Sequence, residues 1–214
     1  MILTNYNESS RHYHSPVHLF EMFEYLDALL SAPLPPVLVF ATFYHDVIYD
    51  ATSKTNEEDS ASEWRDFYEE LKEEVLSLSS ASSPSQPLFS PQEADRIADK
   101  VCLYIIETKR HSVADSPDRM LQFFVDADMA VLGKKWNAYK EYASSVREEY
   151  KHIDDENFFE GRASFLRKSL EAERIYASDE MHCAFEMRAR DSTNREIRDL
   201  EKRLKLIKSN NNSN

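Results

Sequence analysis

Glycine is nearly missing from this chain: 214 residues contain 2, Gly133 and Gly161. Phosphate-cradling loops and dinucleotide fingerprints need several glycines where backbone must approach an anion, so both are excluded, and any phosphate chemistry would have to use side chains and a metal. Cysteine is equally scarce. Cys102 and Cys183 cannot make a disulfide framework, and Cys102 lies in an apolar helical stretch that suits a small core residue. Positive charge is outweighed, with 26 basic against 39 acidic residues and a formal net charge of −13. Affinity for long nucleic acids rests on neutralised phosphates, so that class of partner is not expected; a small anion in a cleft, governed by local charges, is not excluded. No apolar run approaches the length of a membrane span, and the N-terminus lacks a basic region followed by an apolar one. The expectation is an intracellular, cytoplasmic chain without a membrane partner.

What is present is a succession of helix signals. Ser15-Pro16 precedes Val17, Phe20, Phe23, Leu26 and Leu30 at helical spacing. Pro35-Pro36 opens a run from Val37 to Asp50, apolar almost all round and therefore central. Glu57 to Ser77 is charged and amphipathic, and Ser90-Pro91-Gln92-Glu93 matches a capping box. Ser116-Pro117 repeats the start signal before Met120 to Leu132, which Gly133 ends; three further runs cover about 135–152, 155–177 and 180–207. No window alternates with period two, so the fold is expected to be all-α. One domain over 1–208 is expected, interrupted by a Ser/Pro-rich flexible insert at 77–90 and ended by a disordered tail at 209–214. The last run, with Ile197, Leu200, Leu204 and Ile207 thinly spaced, suits a packing strut or the seam of a homodimer.

The chemistry-bearing residues cluster around His45-Asp46. On a helix two adjacent side chains diverge by about 100°, but both can reach an ion lying over a helix end. With His14 or His18 upstream and Asp126 or Asp128 downstream, they make a nitrogen–oxygen donor set suited to Mn, Fe, Co, Ni, Zn or Mg. Asp50 lies four residues after Asp46, on the same face if the helix continues. Arg11, Lys109, Arg110, Arg147 and Arg162 are candidate phosphate clamps.

These residues fall into ordered motifs: YHxxxH at Tyr13–His18, HDxxYD at His45–Asp50, NExxSA at Asn56–Ala61, TxxH at Thr108–His111 and DxDxxxLG at Asp126–Gly133. The pattern resembles the HD superfamily of metal-dependent phosphohydrolases, in particular a little-characterised branch of predicted phosphohydrolases, over roughly residues 6 to 200. The resemblance implies an HD-like helical bundle with additional C-terminal helices and one divalent metal ion on His18, His45, Asp46 and Asp128. It implies hydrolysis of a small phosphorylated substrate, such as a nucleotide, by a metal-activated water. Asp50 or Glu57 is the expected proton acceptor. His14, Asn56, His111, Asp126, Arg147 and Arg162 are expected to contact the substrate or orient a ligand. Two other readings stand beside it: a di-iron oxygenase, which HD scaffolds also host and which needs more histidines, and a non-catalytic metal-stabilised helical scaffold.

Overall fold

The computed structural model describes residues 1–79 and 89–211, and every regular element among them is helical. In chain order these are α1 (Ile2–Tyr6), α2 (Pro16–Leu29), α3 (Pro36–Tyr44), α4 (Asn56–Ser79), α5 (Pro91–Thr108), α6 (Arg119–Met129), a 3₁₀ turn (Ala130–Gly133), α7 (Trp136–Glu149), α8 (Asp155–Glu171) and α9 (Asp179–Asn211). The all-α expectation is met, and among the described residues no helix is long and apolar enough to cross a membrane.

The main core is built by α2 to α6. Met22, Leu26, Leu38, Ala41, Tyr104 and Phe124 are sealed in it, with Trp64 of α4 donating its indole N–H to the carbonyl of Ala98 at 3.0 Å. α3, apolar on every side, runs through the middle, as its composition requires. A second layer packs α7, α8 and α9 around Tyr139, Tyr176, Leu166 and Leu200. Gly133 joins the layers by close approach: a Cβ there would lie 2.6 Å from Cβ of Phe185 on α9.

Several boundaries differ from the sequence reading, each for a local reason. α3 stops at Tyr44 rather than Asp50, because side chains take over the backbone groups beyond it. Arg11 donates to the carbonyls of Asp46 at 2.5 Å and Val47 at 2.9 Å, Tyr6 Oη accepts from the Asp46 N–H, and Ser60 Oγ bonds both polar groups of Ile48. α6 starts at Arg119, one residue before the expected Met120, but its cap is Asp118, whose carboxylate accepts from the N–H of Met120, and it gives way to the 3₁₀ turn after Met129. The Ser90 capping box forms as read, with Glu93 returning to the Ser90 N–H at 2.8 Å. The insert expected at 77–90 begins later, since α4 continues to Ser79; its middle, 80–88, lies outside the described residues. α9 is helical to Asn211, so the expected tail is helical over 209–211, and 212–214 lie outside the described residues. Phe20, one of the apolar residues spaced along α2, is 62% exposed.

Candidate metal centre

Three separated segments bring their candidate ligand atoms together. His18 sits one turn into α2, where the Ser15 carbonyl takes its N–H and fixes the helix start. His45 is the residue after α3, and its Nδ1 donates to the carbonyl of Thr42 at 2.9 Å. That bond assigns the tautomer: in neutral His45 the lone pair is on Nε2, the atom facing the cluster. Nε2 of His18 is 3.1 Å from Nε2 of His45 and 3.2 Å from Oδ1 of Asp128; His45 Nε2 is 3.8 Å from the same oxygen. Oδ2 of Asp46 stands at the edge, 3.1 Å from His45 Nε2 and 4.0 Å from His18 Nε2. Ligands about 2.1 Å from a common ion lie roughly 3.0 to 4.2 Å from one another, so these separations suit one shared cation.

The electrostatics favour a positive charge there. Burial alone would lower the His45 imidazole, but Asp46 and Asp128 beside it lift it to about 9. Burial alone would raise Asp128, yet the imidazoles of His111 and His18 hold it well below the usual carboxylate range; His45 and His14 do the same for Asp46. Two partly buried carboxylates against two buried imidazoles favour a proton or a metal to balance them.

A supporting ring fixes these groups. Glu149, buried at the end of α7, accepts at Oε1 from the N–H groups of His12, Tyr13 and His14 at 2.8, 2.7 and 2.9 Å. Its Oε2 bonds His14 Nδ1 at 2.7 Å and the Tyr49 hydroxyl at 3.1 Å. His14 is also stacked on Tyr49 with ring centroids 4.0 Å apart, and its Nε2 lies 3.9 Å from Asp46 Oδ2. On the opposite side, His111 Nε2 lies 2.9 Å from Asp128 Oδ2. His111 has φ 48, a left-handed conformation unusual for a side-chain-bearing residue, and it holds the loop after α5 against Asp128.

The cluster lies at the base of a cleft of about 770 Å³. Asp46, Asp128, His14 and His111 line its polar end, with Lys54, Asn56, Glu57 and Lys109 from the α4 and α5 ends beside them. Tyr13, Tyr142, Tyr150, Phe158 and Phe165 supply the aromatic part of its lining.

Other expected site residues are placed differently. Asp50 is exposed, off any helix, and its carboxylate holds the turn through the N–H and hydroxyl of Thr52, both at 2.7 Å, which keeps its pKa low. Asn56 locks the same turn by bonding both backbone groups of Asp50. Asp126 points away from the cluster: it accepts from the N–H groups of Ala177 and Ser178 and the Ser178 hydroxyl, tying α6 to the start of α9. Arg147 closes the α7–α8 turn on the carbonyls of Tyr150 and Ile153 and on Asp155. Arg162 borders the cleft but is paired with buried Glu196 at 2.9 Å, and Arg11 is engaged by backbone carbonyls. None of these three guanidinium groups is free to clamp a phosphate.

Glu149 was legible and missed. It continues the stripe Tyr139, Tyr142, Val146 at intervals of three and four, so an acidic residue falls on the buried face of α7. No protein-family model, curated protein or solved structure matches this chain.

Proposed function

We propose that the chain is a metal-dependent hydrolase of a small phosphorylated substrate. One observation carries the reading: His18, His45 and Asp128, far apart in sequence, present three ligand atoms within 4.8 Å of one another at the base of a cleft large enough for a metabolite. The motif resemblance to HD phosphohydrolases supports it. Asp46 completes the donor set. A divalent ion held by such residues supplies a Lewis acid for a phosphoryl oxygen and a water acidic enough to attack near neutral pH.

The chain's own residues do the rest. Glu57 lines the cleft with Lys109 3.5 Å away and is the carboxylate available to accept a proton, the role Asp50 cannot fill from its exposed turn. His14 is held at Nδ1 by Glu149, which leaves Nε2 facing Asp46 and the cleft, where it can steady charge on the leaving group or return a proton to it. Lys54 lines the cleft without an ion-pair partner among the described residues and is a cation free to meet a phosphate.

The test is a turnover screen of phosphorylated metabolites with manganese, cobalt, nickel or magnesium added. Glu57→Gln should keep the metal and lose at least about a hundredfold in kcat. Turnover undiminished in Asp128→Ala would end the proposal. A second reading has its own observation: His111 and His14 stand beside the outer oxygens of Asp128 and Asp46, where a second ion would need imidazoles. Two irons per chain would favour a di-iron oxygenase.

A further inference from the structure

Behind the metal cleft lies a second pocket of about 330 Å³, and the two share Lys109, His111, Met129 and Phe165 as a common wall. Its composition runs against that of the molecule. In a chain of net charge −13, this pocket gathers Lys109, Arg110, Lys168 and Arg174 around a single carboxylate, Asp126. Asp126 is already saturated by three donors, at 2.7, 2.7 and 2.5 Å.

The cations are not equally committed. Lys109 is held by Glu58 at 2.6 Å and Arg174 by Asp179 at 2.9 Å. The exposed side chains of Arg110 and Lys168 make no ion pair or hydrogen bond among the described residues, although acidic residues abound elsewhere on the surface. The guanidinium of Arg174 is further engaged by the Ser178 carbonyl at 3.1 Å, which leaves Arg110 and Lys168 as the uncommitted charges of the pocket. Uncompensated cations lining one concavity are what an anionic group would satisfy.

We propose that this pocket is an anion subsite that receives a second negatively charged group, phosphate or carboxylate, of the substrate whose reacting phosphate sits at the metal cleft. The inference rests on the hydrolase reading and sharpens it: the substrate carries anionic groups at two ends and reaches past His111 and Phe165. Joining the two groups in one molecule makes the second contact intramolecular, and that tether supplies the gain in affinity.

Non-hydrolysable probes test this by calorimetry on the full-length chain, with and without manganese. Methylphosphonate presents one anion; α,ω-alkane bisphosphonates of graded spacer length present two. At least one spacer should bind about tenfold or more tightly than methylphosphonate. Arg110→Ala/Lys168→Ala should abolish that gain while methylphosphonate affinity and metal content stay unchanged. A gain that persists in the double variant, or no gain at any spacer, overturns the proposal. Two methylphosphonate sites in the wild type, one in the double variant and no spacer gain would mean a separate anion site, which also overturns it. Failure of the hydrolase reading looks different: methylphosphonate binding is then indifferent to manganese and to Asp128→Ala, whatever the spacer series does.

Discussion

His18 and His45 place their Nε2 atoms 3.1 Å apart, and Thr42 holds the other nitrogen of His45 as a donor. Two imidazoles this close can share a single proton or a single cation, but they cannot each carry a proton on the facing atom. Asp128 and Asp46 complete the surroundings of that point. Replacing His18 or His45 by Ala should therefore lower metal affinity by at least about a hundredfold, read by equilibrium dialysis. Unchanged affinity in both variants would mean that the ion sits elsewhere.

Asp126 and Asp128 are two residues apart and should behave as opposites. Asp126→Asn turns one of the two oxygens that accept from Ala177 and Ser178 into a donor, so it should cost about 2 kcal/mol of stability and leave the metal stoichiometry unchanged. Asp128→Asn should lose metal first. Urea melts and metal analysis of the two variants separate these roles, and metal loss in both would remove the distinction.

Glu149 links pH to stability. The ordinary glutamate value is 4.5; burial pushes this carboxyl up, but His14 and the backbone N–H groups overcome that and hold it at about 2. A carboxyl depressed in the folded state stabilises above the unfolded value and loses that contribution as pH falls through the folded one. Up to about 3 kcal/mol should thus be present above pH 4.5 and disappear between 4.5 and 2. Glu149→Gln should flatten that part of the stability–pH curve. A wild-type curve already flat from pH 5 to 2, or a steep one retained in the variant, would contradict the assignment.

Asp50→Ala should leave turnover within about twofold and lower stability only slightly, because it removes turn bonds on the surface. If activity falls with metal retained, Asp50 must move to the cleft when substrate binds.

Helix identity and sequence patterning agree wherever caps are local, as in Ser90 with Glu93. The convergence of His18, His45 and Asp128 could be read because short motifs carry the donor chemistry of each. The roles of Asp50, Arg147 and Arg162 could not. An isolated sequence does not say whether a charged side chain already has an acceptor: Arg162 meets Glu196 from a helix 34 residues away, and Arg147 bends back to carbonyls of its own turn. The end of α3 was obscured for a similar reason, since Arg11 and Tyr6, remote in sequence, supply the partners that replace the helix ladder.

The most direct measurement is the metal content of the protein purified without chelator, alongside Asp46→Ala. The account predicts about one divalent ion per wild-type chain and substantial loss in the variant. No metal in the wild type under any loading condition would contradict it, and the cluster would then be a proton-balanced polar core in a helical scaffold.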